Sequence, residues 1–291
     1  MALGRNVVRG LWLSLVLGLS VLASASDHSG PGISADEALK RLKEGNDRFV
    51  AGKTVHPNAD AKRRELVATK GQHPFVTVLG CSDSRGPLEL LFDQGIGDVF
   101  VIRVAGNVCN VDETGSIEYG VDHVGTPLLV VLGHSGCGAV TAVATGGEVH
   151  GSIPALVAGI RPAVAKAEKA NPNLHGKDLV PAATEFNVWQ AIDDLFKRSS
   201  IIRKSAQEGK VKVLGAIYDL PSGKVKWLGE HPEKARLLKY ADAAGHEAAG
   251  HDAPKHAPEP APKPAAEPST PAAEQPVRVR SRPILDRLRL R

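Results

Sequence analysis

Residues 74–85 read PFVTVLGCSDSR, and residues 127–137 read PLLVVLGHSGC. Each stretch begins with a short apolar run, at residues 74–80 and 127–133, that is rich in β-branched residues or leucine and ends in glycine. Polar residues follow each run directly. Nearly continuous apolar runs of this length are typical of strands buried on both faces of a parallel sheet. The two stretches therefore predict two core strands, each followed at its carboxyl end by residues that can carry chemistry.

Three further runs complete the predicted sheet. Residues 99–104 and 212–218 predict two more buried strands. Residues 221–223, PSG, predict a turn into a short edge strand at 224–228. Helical patterns separate the strands, at 35–50, 87–92, 114–124, 153–170 and 184–205, with a further helix starting at Gly138. This alternation predicts an α/β domain with a mostly parallel central sheet, four parallel strands plus an antiparallel edge strand, flanked by helices.

The first predicted helix begins with SADE at residues 34–37, the pattern of a capping box. Its apolar positions, among them Ala38, Leu42 and Phe49, lie on one face that needs a surface to pack on. The sequence assigns no partner to this face, which leaves it available for contact between subunits.

The amino-terminal residues have the pattern of a secretory signal peptide. Arg5 and Arg9 precede an apolar run at 11–22, and the small residues ASA follow at 23–25. The alternative is an uncleaved membrane anchor, although the run is shorter than the roughly 20 residues that a spanning helix needs. We therefore predict a signal peptide at 1–25 and an exported protein, periplasmic or secreted.

The composition changes again near residue 241. Residues 242–276 are mostly Ala, Pro, Glu, Lys and His, which predicts a disordered linker after a catalytic domain at 26–241. Residues 277–291 carry six arginines and one acidic residue, so the net charge of this tail is greater than the whole chain's net charge of +4. We expect it to contact an anionic surface such as the cell envelope rather than nucleic acid, or to be a terminus without a partner.

The chain has three cysteines, too few for a disulfide framework in an exported protein. Two of them, Cys81 and Cys137, lie in motifs that resemble metal sites. Cys109 is left over, and we interpret it as a small buried apolar residue.

Cys81 follows the first predicted strand, and His134 and Cys137 follow the third. If those strands are neighbours, their carboxyl ends form the point of reversed strand order at which α/β sheets bind ligands. Two thiolates and one imidazole favour zinc over magnesium or calcium. Three protein ligands leave a tetrahedral ion one open position, which is typical of catalytic sites. We therefore expect one Zn²⁺ per subunit.

Asp83 and Arg85 lie beside this predicted site. They could form an ordinary surface ion pair, or Arg85 could hold Asp83 ionised and oriented so that Asp83 accepts a hydrogen bond from zinc-bound hydroxide. Zinc lowers the pKa of bound water from about 16 to about 7, so a nucleophile exists at neutral pH. Asp83 could instead become the fourth zinc ligand, in a closed and inactive state.

The combination of Cys-x-Asp-x-Arg with a downstream His-x-x-Cys resembles the β-class carbonic anhydrases, over about residues 34–229. The resemblance implies a zinc enzyme that interconverts CO₂ and bicarbonate, with the three ligands and the Asp83–Arg85 dyad as above. It also implies a homodimer or a dimer of dimers, with active sites at the subunit boundaries.

The resemblance assigns further residues to the substrate. Gln72 matches a glutamine that bonds substrate from a neighbouring subunit, and Phe100, Ala105 and Tyr119 match the lining of the apolar CO₂ pocket. The backbone N–H of Gly138 matches a contact to bound anion. The alternative for Gln72 is an exposed amide on a loop. The alternative for Phe100 and Tyr119 is ordinary core packing.

One departure from the family concerns inhibition. Some members bind bicarbonate in a second pocket that needs a Trp three residues before the first zinc Cys, and here that residue is Val78. We expect no bicarbonate switch of that kind. His73, His123 and His150 are candidate proton shuttles by residue type alone.

Two other functions stay open at this point. The same zinc hydroxide could hydrolyse a CO₂-like molecule, carbonyl sulfide or carbon disulfide. Alternatively, the protein could be a non-catalytic zinc-holding, envelope-binding protein whose working part is the basic tail.

Overall fold

The structure is a computed structural model that describes residues 32–241. The predicted signal peptide, linker and tail lie outside the described residues, as does the first part of the predicted catalytic domain. Within 32–241, no helix is long and apolar enough to cross a membrane.

A five-stranded sheet forms the centre of the described domain. Its strands are β1 Val76–Gly80, β2 Val99–Arg103, β3 Leu128–His134, β4 Lys212–Tyr218 and β5 Val225–Gly229. The strand order is β2-β1-β3-β4-β5, in which β5 pairs antiparallel with β4 and all other pairs are parallel. The predicted fold class is confirmed, with each strand within two residues of its predicted bounds.

β1 lies between β2 and β3, and all residues of β1 and β3 are buried. The residue Val78 pairs with Val101 of β2 on one side and with Val130 of β3 on the other. The chain therefore leaves β1 toward one edge of the sheet and returns on the other side of β1 as β3. The strand order reverses between β1 and β3, so the polar residues that follow these two strands lie at the same place.

Ten α-helices surround the sheet within the described residues. They are α1 Ala35–Val50, α2 Ala61–Lys70, α3 Leu88–Leu91, α4 Val111–Glu118, α5 Gly138–Ala144, α6 Ile153–Val157, α7 Arg161–Ala170, α8 Val180–Arg198, α9 Ser200–Gln207 and α10 Lys234–Leu237. The sequence patterns did not indicate α2 or α10. Helix α2 has no buried residue, so it carries no strong apolar period from which it could be predicted.

Two predicted long helices are each divided in two. The predicted helix 184–205 begins earlier, at Val180, and breaks at Ser199, whose backbone is extended (φ −108°, ψ 107°). The Ser199 hydroxyl accepts a hydrogen bond from the Ile202 N–H at 3.0 Å and so caps α9. The predicted helix 153–170 is likewise interrupted by a 3₁₀ turn at Ala158–Ile160. The predicted helix 184–205 is therefore broken at the residue, Ser199, whose side chain caps the following helix.

Helix α1 packs on one face of the sheet within its own chain. The Ser34 hydroxyl accepts from the Glu37 N–H at 3.2 Å, which is one of the two hydrogen bonds of the predicted capping box. The Glu37 carboxylate instead accepts from Arg41 Nε at 3.4 Å. Ala38 and Leu42 are fully buried in an apolar cluster with α3 and the sheet, and burial of a leucine side chain contributes about 1.5–3 kcal/mol. Ala38 and Leu42 are thus covered by the chain itself, whereas Leu39 and Phe49 on the same helix are only partly buried. Contact of α1 with a second subunit stays a prediction.

The loop between α1 and α2 is held to the turn after α3 by a buried carboxylate, Asp93, whose side chain has no exposed surface. It accepts hydrogen bonds from Arg48 Nε at 2.6 Å and from the N–H groups of Val55 and His56 at 3.1 and 2.9 Å. Burial alone raises the pKa of this carboxyl, but Arg48 and the two N–H donors more than offset that effect and hold the pKa below its usual value.

We expect Asp93→Asn to lower the free energy of unfolding by about 3 kcal/mol at pH 7, because Arg48 loses its buried partner. The pKa of Asp93 is depressed in the folded state, so the carboxylate stabilises above its unfolded pKa of about 3.9 and this contribution is lost as the pH falls further. The difference between variant and wild type should therefore shrink between pH 7 and pH 3. Urea unfolding at both pH values measures it. The exposed Asp122→Asn is the control, and an equal Asp93→Asn effect at both pH values contradicts the assignment.

Candidate metal centre

The structure brings Cys81, His134 and Cys137 together. Cys81 follows β1 directly, His134 is the last residue of β3, and Cys137 caps the N-terminus of α5. Their ligand atoms, two Sγ and one imidazole nitrogen, all lie within 4.8 Å of one another. Adjacent parallel strands place the first two side chains at one edge, and the short turn from β3 to α5 returns the third.

His134 is only 5% exposed, and its two ring nitrogens have different surroundings. Nδ1 donates to the carbonyl oxygen of Ser135 at 3.0 Å, in the tautomer that this contact requires. Nε2 is buried and has no hydrogen-bond partner among the described residues. A backbone acceptor on one nitrogen and a lone pair on the other is the usual arrangement of a metal-ligating histidine.

The two thiols are electrostatically linked. A hydrogen bond from the Cys137 thiol lowers the pKa of Cys81 to about 4, although partial burial opposes this. The same contact, together with burial, raises the pKa of Cys137 far above its usual value. Negative charge is therefore favoured on the Cys81 sulfur, close to Cys137 and His134, which suits the binding of a cation.

The donor set fits zinc. Two soft sulfurs and an imidazole nitrogen match the ligands that Zn²⁺ prefers, and magnesium or calcium would require oxygen ligands. The buried Nε2 of His134, which has no hydrogen-bond partner among the described residues, also indicates a metal ion. A buried polar atom without a partner costs free energy, and a bound ion would remove that cost.

Asp83 and Arg85 form a two-point ion pair beside these ligands. Arg85 Nε donates to Asp83 Oδ1 at 2.9 Å and Nη2 donates to Oδ2 at 2.7 Å. The guanidinium holds the pKa of the Asp83 carboxyl well below its usual range. Arg85 also donates to the carbonyl of Gly136 at 3.3 Å, which ties the dyad to the turn before Cys137.

The Asp83 carboxylate reaches the metal centre without joining it. Its Oδ2 lies 3.9 Å from Nε2 of His134, and its oxygens do not belong to the group of three converging ligand atoms. The structure therefore shows Asp83 held by Arg85, the arrangement expected of an open site. Asp83 as a fourth ligand in a closed state stays a prediction.

Arg103 holds the loop that carries both Cys81 and Asp83. Its Nε donates to the carbonyl of Cys81 at 2.8 Å and its Nη2 to that of Asp83 at 2.5 Å. Both partners of Arg103 are thus backbone carbonyls. Every residue has a backbone carbonyl, so residue types alone could not indicate which carbonyls accept from Arg103.

A small cleft, open to solvent, adjoins the ligands. Most of its wall is apolar, and Cys81, Asp83 and His134 supply the chemistry at one side. The remaining lining residues are Gly86, Leu88, Leu91, Leu132, Gly133 and Tyr218. The cleft therefore places apolar side chains next to an ionised carboxylate.

The other substrate residues expected from the sequence lie outside this cleft. Gln72 is exposed in the loop before β1, and Ala105 is half-buried in the turn after β2. Phe100 on β2 and Tyr119, which is 51% exposed, have ring centroids 6.0 Å apart. Gly138 is the first residue of α5, where backbone N–H groups have no acceptor within the helix. Their roles toward substrate stay predictions.

The remaining residues of interest divide into surface and core. His73, His123 and His150 are all exposed, and the His123 ring stacks on Tyr119 at 5.3 Å between centroids. Cys109 is 2% exposed in the core, and burial raises the pKa of its thiol to about 12, in agreement with its interpretation as a small apolar residue. Val78 is fully buried within β1.

Comparison with known proteins gives one consistent result. A family model described as carbonic anhydrase matches residues 76–225. A carbonic anhydrase of Mycolicibacterium smegmatis is 40% identical over 193 residues, 65% of this chain and 91% of that protein. A tetrameric β-carbonic anhydrase of Sordaria macrospora has a TM-score of 0.53 at 26% identity, covering 66% of this chain and 98% of that one. A β-carbonic anhydrase of Aspergillus fumigatus has a TM-score of 0.55 at 28% identity, covering 70% and 94%.

Proposed function

The chain belongs to the β-carbonic anhydrases, a family of enzymes that interconvert CO₂ and bicarbonate, and we propose that it does so with one Zn²⁺ per subunit held by Cys81, His134 and Cys137. The observation that carries the proposal is the convergence of these three ligand atoms around a buried His134 Nε2 that lacks a partner. The Asp83–Arg85 dyad beside them distinguishes a catalytic centre from a structural one.

Zn²⁺ bound there would supply a nucleophile at neutral pH, because the ion lowers the pKa of a coordinated water to about 7 and three protein ligands leave a position open. Asp83, whose Oδ2 lies 3.9 Å from Nε2 of His134, would accept a hydrogen bond from that nucleophile and orient it toward CO₂. Arg85 holds Asp83 ionised and in one orientation through its two hydrogen bonds. The dyad thus positions a group and carries no proton itself.

The apolar walls of the cleft favour uncharged CO₂ over charged bicarbonate. Leu88, Leu91 and Leu132 present an apolar surface, which suits CO₂ and does not compensate the charge of bicarbonate. The N–H of Gly138, at the start of α5, would contact the bound anion. Gln72, Phe100, Ala105 and Tyr119 lie outside this cleft. They would bind substrate at the boundary with a second subunit.

We propose a homodimer, or a dimer of dimers, as the active unit. β2 is an edge strand of the sheet, and Phe100 on it is only half-buried within one chain. Tyr119 beside it is half-exposed, so an aromatic surface lies next to an unpaired strand edge. The related Sordaria macrospora enzymes are tetrameric. Export to the periplasm or medium, and contact of the Arg-rich tail with an anionic envelope surface, are further proposals from the sequence.

Stopped-flow CO₂ hydration by the zinc-loaded full chain tests the proposal. We expect hydration that rises with zinc content up to one ion per chain, and slower or no hydrolysis of carbonyl sulfide and carbon disulfide. Hydrolysis of either sulfur compound without CO₂ hydration would favour the alternative hydrolase. Zinc binding without any of the three reactions would favour the non-catalytic binding protein.

A further inference from the structure

The turn after β2 lies against a ligand of the metal centre. The backbone N–H of Gly106 points to Sγ of Cys81, at 3.3 Å between nitrogen and sulfur. The same turn is joined to the loop around Cys81 by the hydrogen bond from Ser82 N–H to the Val104 carbonyl at 3.2 Å. An N–H donor to a thiolate orients the sulfur and withdraws part of its charge.

This turn has a backbone conformation that needs support. Gly106 has φ +78° and Asn107 has φ +43°, so two consecutive residues are left-handed. A non-glycine residue there costs free energy and persists only where surrounding contacts hold it. Gly106 also packs tightly, because a Cβ at this position would lie 2.6 Å from Cδ1 of Ile160. The direction of the Gly106 N–H therefore depends on what holds the turn.

A side chain from a distant helix supplies that support. Asn187 on α8 is 1% exposed, and its Nδ2 donates to the carbonyl of Gly106 at 2.7 Å. The bond is fully buried and joins residues 81 positions apart. A buried carbonyl left without this donor would have to move or find another partner.

We infer that Asn187 is a positioning residue of the metal centre, which fixes the Gly106 turn so that its N–H is directed at the Cys81 sulfur. The inference rests on the proposed zinc site. Asn187 does not touch the ligands or the dyad and acts only through the Gly106 backbone. Its loss should therefore change how tightly the site holds its ion and how the sulfur interacts with it.

The test compares Asn187→Leu with wild type, both as full chains. Zn²⁺ affinity is measured by competition with a chromophoric chelator, and the absorption spectrum is recorded after loading with Co²⁺. We expect zinc to bind about 10-fold or more weakly, the lower end of the usual effect of losing an outer hydrogen bond to a ligand. The sulfur-to-cobalt charge-transfer band should move to longer wavelength, because a thiolate without its N–H donor gives up an electron more easily.

Asn46→Leu is the matched control. Asn46 is also a buried asparagine, and its Nδ2 donates to the carbonyls of Leu91 and Gly223 at 3.0 and 2.9 Å. It should lower stability and leave zinc affinity and the cobalt spectrum unchanged. If Asn187→Leu does not fold, Asn187→Ala, which removes the donor to the Gly106 carbonyl and adds no bulk, carries the same comparison.

The outcomes separate the inference from the proposed function. Wild-type affinity and cobalt spectrum in a destabilised Asn187→Leu would overturn the positioning role and leave the zinc enzyme intact. A wild-type chain that binds no Zn²⁺ would overturn the proposed function, and the inference with it.

Discussion

Cys81→Ser is expected to remove zinc from the protein and to reduce CO₂ hydration by more than about 10³-fold. Serine keeps the size of the side chain but supplies no thiolate, so only two of the three converging ligands remain. Enzymes accelerate their reactions by about 10⁶-fold or more, and the loss of the ion removes the nucleophile on which that acceleration depends. Zinc per chain after dialysis, together with stopped-flow hydration, measures both effects.

Cys109→Ala is the matched control for Cys81→Ser. Cys109 is buried in an apolar cluster on the side of the sheet that carries α8 and α9, and its thiol contacts Thr114 Oγ1 at 3.5 Å. Its loss should lower stability by about 1 kcal/mol and leave one zinc per chain. A Cys81→Ser protein that still holds one zinc, or a Cys109→Ala protein that holds none, would refute the assigned ligands.

The second large effect is expected at Asp83. Asp83→Asn keeps the shape of the side chain and removes the negative charge that accepts from the zinc-bound water and pairs with Arg85. We expect kcat for CO₂ hydration to fall by about 10²- to 10³-fold, the usual effect of removing one hydrogen-bonding group that orients or stabilises the reacting atoms. Zinc content should stay at one per chain, since the three ligand atoms converge without Asp83.

Arg85→Lys separates orientation from charge within the dyad. Lysine keeps the positive charge but cannot make the two parallel hydrogen bonds that Arg85 makes to Oδ1 and Oδ2. We expect a smaller loss than for Asp83→Asn, again with zinc retained. Full activity in Asp83→Asn would show that the water needs no acceptor, and the dyad would then be an ordinary ion pair.

Much of this molecule could be predicted from local patterns. The runs PFVTVLG and PLLVVLG predict buried strands because a parallel sheet covered on both faces leaves no polar position along them. The residues CSDSR and HSGC follow at once, so their position at strand ends, and with it a shared site, was predictable. The fold class and the convergence of Cys81, His134 and Cys137 needed only the further condition that β1 and β3 are neighbours.

Other features depended on contacts between distant residues. At the break between α8 and α9, the Ser199 hydroxyl caps the next helix and also donates to Glu118 Oε1 at 2.6 Å, 81 positions earlier in the chain. The buried part of the apolar face of α1 looked unpartnered because its cover, α3 and the sheet, is formed by residues some 40 to 180 positions later. Periodicity shows that a face must be buried but does not show which surface buries it.

The sequence by itself indicated the strand ends of this protein, the three residues that could hold a metal ion, the Asp83–Arg85 pair and the family. The tertiary structure decided how those residues are held. Arg103 supports the loop through two carbonyls, and Asn187 supports the Gly106 turn from 81 residues away. Both contacts end on backbone atoms, which are the same in every residue, so only the folded chain can show which carbonyl each side chain reaches.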